Sequence, residues 1–304
     1  MAASILTPPE RLNVYEIVTE KIIAQLEQGM IPWHRPWSDV GLPVNLPSGR
    51  HYRGINVMLL SCAGYSSPYW MTYKQAQEMG GHVRRGEKST LVVFWKWLEA
   101  DTDEPQTKEE SIKRIPFLRY YSVFNLEQID GIPASRIPTL KARNIEPIEA
   151  AQAIVDAMPN RPCIGHGGDK AFYRPATDSV QMPNREAFDS AEAYHSTLFH
   201  ELTHATGHPS RLGRLDGNNS RLAPFGSADY SKEELVAEMG AAFLCAEAGI
   251  ENATLTQSAS YIGGWLEALK NDRRMVVLAA AQAQKAADFI LHRKPHEAAQ
   301  LSAA

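Results

Sequence analysis

The sequence predicts an α+β protein in two parts, and three observations carry that prediction. Two strand-like stretches, Thr90 to Leu98 and Phe117 to Phe124, lie in the first 130 residues of a chain of 304. Five prolines, Pro133, Pro138, Pro147, Pro159 and Pro162, then interrupt any long element. Beyond them, His200-Glu201-Leu202-Thr203-His204 sits in a helical stretch followed by Ala-rich helical sequence. The expected division is a mixed α/β unit over 1–130, a linker over 131–145, and a second unit over 146–304 built on the His200 helix.

Composition bounds the function. With 44% hydrophobic and 22% charged residues the chain is globular. No apolar run approaches a membrane span, and MAASILTPPERLN lacks the basic start and apolar core of a signal peptide, so a cytoplasmic protein without a membrane partner is expected. Cys62, Cys163 and Cys245 are isolated, with no CxxC, and read as reduced and mostly packed.

In chain order, Leu12, Tyr15, Val18, Ile22 and Leu26 give a helix from Arg11 to about Gln28, stopped by Gly29. Two prolines in Ile31 to Trp37 exclude a helix or central strand, so this aromatic segment is expected on the surface. Thr72 with Gln75 makes a capping box for a short helix to Met79, ended by Gly80-Gly81. Val83 to Lys88 reads as a basic turn. The strands at 90–98 and 117–124 pair as an antiparallel hairpin around an acidic loop at 99–110.

The net charge of -4 argues against a broadly basic nucleic-acid binder. Setting the acidic stretch 99–110 aside, however, residues 1–130 hold 13 basic against 9 acidic side chains. Single strands need rings to stack on unpaired bases and cations to track phosphate. The candidates for that work are Trp33, Arg35, Trp37, Arg50, Tyr52, Arg53, Arg84, Arg85, Lys88, Lys96, Arg119 and Tyr121. Against this stands the plainer reading that aromatic strands are core and scattered cations a solvated face.

In the second half, Glu149 to Met158 is amphipathic, and Gly165 to Gly168 reads as a flexible turn around His166. Residues 171–173 and 179–182 form a hairpin whose second strand is expected to be an edge open to an extended peptide. Asp189 with Glu192 resembles a capping box for the His200 helix, and Gly207 before Pro209 stops it. Tyr261 to about Leu291 reads as two scaffold helices broken near Asn271-Asp272, with Tyr261 a candidate oxyanion donor.

On a helix, residues four apart share a face, so His200 and His204 can hold one zinc with Glu201 beside it as general base. A third protein ligand is needed. A His six residues after the second His would supply it, but Ser210 stands there, and His208, following the helix end, reads as a loop residue or as one supporting a ligand. The remaining source is a later helix, read as capped at Ser231 and ending at Gly249, on which Glu234 and Glu238 lie four apart on one face. Two acids on an otherwise apolar helix are costly to bury without a cation. Either can be the ligand, while Glu233 is expected to face solvent.

These motifs together resemble the ArdC family of conjugative-plasmid antirestriction proteins. The resemblance rests on Tyr15-Glu16, Gly29 to Trp37, Tyr52 to Asn56, Trp70 to Tyr73, Gly80 to Lys88 and Tyr121 to Glu127, then His200 to His208 and Glu233 to Phe243. It implies an N-terminal single-stranded-DNA-binding domain and a C-terminal zincin-like metallopeptidase domain, acting in the recipient cell against restriction endonucleases. Glu234, Ala237, Ala241 and Leu244 also match an E-x-x-A-x-x-x-A-x-x-L pattern of zincins. That likeness implies Glu234 as the third ligand and Glu238 as support for a metal-bound His, with zinc or another divalent cation such as Mn2+ as cofactor.

Two functions follow as expectations. In one, the first half holds incoming single-stranded DNA while the metal site cuts a host protein. In the other, the protein only shields DNA, and the metal site is structural or vestigial. A structural site has no need of a general base, which favours the first. A primase accessory role would call for an acidic nucleotidyl-transfer motif, and none is evident.

Overall fold

The computed structural model describes residues 13–34, 41–101, 112–139, 146–215, 228–250 and 259–293. Helix α1 spans Val14–Glu27 rather than beginning at Arg11. Asn13 sets its start: the Asn13 side chain accepts from the Tyr15 N–H at 3.0 Å, and Glu16 accepts from the Asn13 N–H at 2.9 Å. Val18, Ile22 and Leu26 form its buried stripe. Of the segment after it, the described part, Ile31 to His34, is not the surface run expected. A 3-10 turn at Pro32–His34 drives Trp33 to 0% exposure, edge-on to Trp265 with ring centroids 5.1 Å apart. The apolar area of an indole outweighs the sequence signal of the flanking prolines.

A five-stranded sheet follows in the order β2-β1-β3-β6-β5, where β1 is Val44–Asn45, β2 Arg50–His51, β3 Tyr69–Thr72, β5 Thr90–Asp101 and β6 Ile112–Asn125. Strands β1 and β3 run parallel and the other pairs antiparallel. The β5–β6 register runs from Thr90 opposite Val123 to Asp101 opposite Ile112, so both strands extend further than predicted. Alternation fades at Glu99 and Asp101, but backbone pairing does not depend on it. Helix α2, Ile55–Ser61, meets the other side of β5, where Asn56 donates to the Val93 carbonyl and accepts its N–H, both at 2.7 Å. A buried side-chain amide thus replaces a neighbouring strand. Helix α3, Tyr73–Glu78, has the expected Thr72–Gln75 capping box. Short strands β4, His82–Val83, and β7, Ile129–Asp130, pair beside it.

The second half opens with α4, Pro147–Ala157, with proline at its first position, where no N–H is missed. Its sheet has the order β8-β10-β9, with β8 Cys163–His166, β9 Phe172–Arg174 and β10 Ser179–Met182. The β9–β10 hairpin is as predicted, with Tyr173 opposite Val180. Two expectations are corrected. Residues 163–166 are a strand parallel to β10, the turn coming only at Gly167 and Gly168 with φ of 130° and 71°. Strand β10 is therefore central, and the edges are β8 and β9.

Helix α5, Ala191–Ala205, is capped by Ser190, which accepts from the Ala193 N–H at 3.1 Å, not by Asp189. Helix α6 runs Ala228–Ala248, so Ser231 lies inside it rather than at its cap, and Gly249 ends it at φ 79°. Helices α7, Ala259–Asn271, and α8, Met275–Ile290, follow in the predicted pattern. One hydrophobic cluster joins Val18, Ile22, Trp33 and Met58 to Phe199, Leu202, Met239, Trp265 and Val276. Polar ties cross the same boundary: the Thr19 hydroxyl donates to the Arg273 carbonyl at 2.6 Å, the Gly54 N–H to Gln284 at 2.9 Å, and Arg53 pairs with Asp288.

Candidate metal centre

Helices α5 and α6 pack against each other, and the contact is close because Gly240 on α6 faces Thr203 on α5. A Cβ at Gly240 would lie 2.5 Å from Thr203 Cγ2. Beside this contact, His200, His204 and Glu234 converge, one ligand atom from each lying within 4.8 Å of the others. The two Nε2 atoms are 3.1 Å apart. His200 Nε2 is 3.5 Å from Glu234 Oε2, and His204 Nε2 is 3.6 Å from Glu234 Oε1. The other ring nitrogens face carboxylates as well: His200 Nδ1 is 3.7 Å from Glu238, and His204 Nδ1 donates to Glu233 at 3.3 Å. With the Nδ1 protons directed at these carboxylates, both Nε2 atoms would face one spot, which a cation would satisfy. Two imidazoles and a carboxylate are a donor set suited to zinc or a similar divalent ion. Glu238 is 2% exposed and Glu201 7%.

The electrostatics agree with a cation at this spot. Burial pushes the His200 ring toward neutrality, but Glu234, Glu238 and Glu201 outweigh it and raise its pKa to about 10. Burial raises Glu201, opposed by His200 and His204 and by a hydrogen bond from the Tyr173 backbone. Strand β9 therefore borders the general-base candidate, with Phe172 exposed beside it and the Arg174 guanidinium over the Phe172 ring at 5.1 Å.

Around the ligand group, Glu233 departs from its expected place and Arg214 joins it. Glu233, expected to face solvent, turns inward with a side chain 14% exposed, paired to Arg214 at 2.9 Å. Arg214 carries no spacing signal, since the turn after α5 places it. His208 lies in that turn with Nδ1 bonded to the Ser210 hydroxyl at 2.7 Å, apart from the ligand group. His166 bonds Tyr194 at 2.9 Å and is likewise outside it. The side chain of Tyr261 lies outside the described residues.

The DNA-binding candidates divide. Trp33 and Tyr52 are buried at 0% and 7% and belong to the core, so neither ring is open to a base. Arg53 is engaged by Asp288, and Arg84 by Glu87 and Asp130. Arg85 and Lys88 are exposed in the turn after β4. The sheet register puts Arg50, Arg119 and Tyr121 on one face. Tyr121 is 45% exposed and meets the Phe94 ring edge-on at 5.3 Å, with Arg119 opposite Phe94. Lys96 lies in β5, its side chain outside the described residues, as are Arg35 and Trp37 altogether.

Comparison with known proteins gives the class first. Residues 149–282 match a zincin-like metallopeptidase domain, and residues 12–124 match the N-terminal domain of anti-restriction factor ArdC. His200 and His204 on α5 and Glu234 on α6, a group that could hold a metal ion, lie within the part that matches the metallopeptidase domain. The crystal structure of the antirestriction ArdC protein from the R388 plasmid, metal-free, is 40% identical, with TM-score 0.73, covering 92% of this chain and 97% of that one. Its Mn(II)-bound structure gives 39% identity and TM-score 0.72 over 92% and 98%. The uncharacterized protein y4eC of Sinorhizobium fredii (strain NBRC 101917 / NGR234) is 39% identical over 297 residues, 93% of each chain. DNA primase TraC of Escherichia coli is 40% identical over 298 residues, 91% of this chain, which spans only 27% of that longer protein. The chain belongs to the ArdC antirestriction family.

Proposed function

We propose that this chain binds single-stranded DNA and hydrolyses a peptide bond at the His200–His204–Glu234 centre, protecting plasmid DNA as it arrives in the cytoplasm of a recipient cell. Residues 1–130 hold the DNA and residues 146–304 the hydrolytic site, the linker at 131–145 joining them; a host protein is the substrate. The observation that carries this reading is the convergence of three ligand atoms with a buried carboxylate, Glu201, on the same helix turn.

When bound, zinc or Mn2+ supplies Lewis acidity, polarising a carbonyl and making water more acidic. His200 and His204 hold it through Nε2 and Glu234 through its carboxylate, while Glu238 and Glu233 orient the two rings. Glu201, its proton affinity raised by burial, takes a proton from the attacking water and returns it to the leaving amine. The edge of β9, beside Glu201, suits an extended peptide. On the sheet of the first half, Tyr121 and Phe94 offer rings while Arg119, Arg50, Arg85 and Lys88 offer charge for phosphate.

The test is protection of single-stranded plasmid DNA transferred into a restricting cell. Wild type is compared with Glu201→Gln and with an Arg119→Ala/Tyr121→Ala double variant. We expect Glu201→Gln to keep its metal content and lose protection, and the double variant to bind single strands less tightly with a shallower salt dependence. Full protection by Glu201→Gln would mean that the protein works by shielding DNA alone. Unchanged DNA affinity in the double variant would remove this sheet face from the reading.

A further inference from the structure

We infer that Arg214 is a positioning residue of the metal centre, acting on His204 through Glu233, and that the affinity for divalent metal depends on this pair. The inference rests on reading His200, His204 and Glu234 as ligands.

His204 is 3% exposed, and its Nδ1 donates to Glu233 Oε1 at 3.3 Å. That bond keeps the proton on Nδ1 and leaves the Nε2 lone pair facing His200 Nε2 and Glu234. Glu233 adjoins Glu234 in sequence and is itself largely buried, so its charge would be repelled by the ligand carboxylate and would be free to turn away. Arg214 prevents this. Its Nη2 donates to Glu233 Oε1 at 2.9 Å and its Nε to Oε2 at 3.2 Å, a two-pronged pair. The same guanidinium is anchored to α5, with Nη1 donating to the Thr206 hydroxyl at 2.7 Å and Nη2 to the Thr203 carbonyl at 2.9 Å.

The turn after α5 places the arginine. The Leu212 N–H donates to the Thr206 carbonyl at 3.0 Å and the Leu215 N–H to the Gly207 carbonyl at 2.8 Å. Leu215 packs so closely on Gly207 that a Cβ there would lie 2.8 Å from it. A planar fork with three nitrogens in use is work for arginine rather than lysine. One guanidinium thus locks a carboxylate of α6 to the C-terminal turn of α5, and that carboxylate sets the ring of a ligand. Arg293 offers a control, since its two-pronged pair with Glu247, both contacts 2.8 Å, joins the residues just after α8 to α6 away from the ligands.

The experiment titrates the full-length, metal-stripped protein with Zn2+ against a chromogenic chelator and records the Co2+ absorption spectrum. It compares wild type, Arg214→Ala, Arg214→Lys, Glu233→Gln, Arg214→Ala/Glu233→Gln and Arg293→Ala. We expect Arg214→Ala to bind Zn2+ about 10- to 100-fold more weakly with an altered Co2+ spectrum, Arg214→Lys to recover only part of the loss, and Arg293→Ala to match wild type. In the Glu233→Gln background, removing Arg214 should cost much less. Wild-type affinity and spectrum in a folded Arg214→Ala variant would overturn the inference, as would an equally large loss in the Glu233→Gln background. Should Arg214→Ala fail to fold, Glu233→Ala carries the same expectation, and wild-type affinity there overturns it. A wild type that binds neither ion overturns the ligand reading itself, which separates that failure from a failure of Arg214 alone.

Discussion

Asp178 turns the chain between β9 and β10 at φ 46°, and its carboxylate gathers three hydrogen bonds: two from Arg211 at 2.8 and 2.9 Å and one from the Tyr173 hydroxyl at 2.9 Å. Arg211, whose side chain is 0% exposed, also donates to the Ala205 carbonyl at 3.1 Å, at the end of α5. These bonds fasten the strand beside Glu201 to the helix that carries it. Burial alone would raise the Asp178 carboxyl, but Arg211 and Tyr173 outweigh it and hold its pKa below the ordinary value. A depressed folded-state pKa gives stability that is present above the unfolded-state value, about 3.9, and lost as pH falls through the lower folded value. Asp178→Asn should therefore be less stable than wild type at neutral pH, with the gap narrowing below about pH 4. Denaturant unfolding across that range checks this, and a gap that stays constant would show that the carboxylate is not held by charge.

At the scale of elements, the candidate metal centre depends on how near α5 and α6 come. Thr203 is fully buried and its hydroxyl donates to the Phe199 carbonyl at 2.7 Å, so it cannot swing aside for a side chain at Gly240. Two effects oppose each other in Gly240→Ala. Helix propensity favours alanine by roughly 1 kcal/mol, while overpacking costs about 1–3 kcal/mol. With the added methyl 2.5 Å from Thr203 Cγ2, we expect the second to win and the helices to separate. Unfolding midpoints should fall and zinc affinity weaken; a more stable variant with wild-type affinity would show that the helix pair has slack.

Across the whole molecule, the two sequence halves share a core. Helices α1 and α2 lie against α7 and α8, and Trp33 meets Trp265 across that boundary. Trp33→Ala should cost about 3–5 kcal/mol, and the described core predicts one cooperative transition, with far-UV circular dichroism and tryptophan fluorescence coinciding. Two separated transitions in wild type would show that the halves unfold independently despite this packing.

The helix of His200 and His204 is legible because its spacing is local: four residues apart means one face of one helix, wherever the helix lies. The same holds for the Thr72–Gln75 cap, for the hairpin of β9 and β10, and for Glu234 and Glu238 on a shared face. Trp33 and Tyr52 illustrate the opposite case. Their composition suited a nucleic-acid surface, but an aromatic ring buries wherever apolar partners wait, and those partners come from distant parts of the chain. The parallel strand β8, Glu233 turned inward and Arg214 behind it were hidden for that reason. By itself the sequence determined the residue types and helical spacing that can hold a divalent cation, and the two long strands of the first sheet. Only the tertiary structure decided which acid meets which histidine, which aromatics remain exposed, and that both halves share a core, because each is set by contacts between segments far apart in the chain.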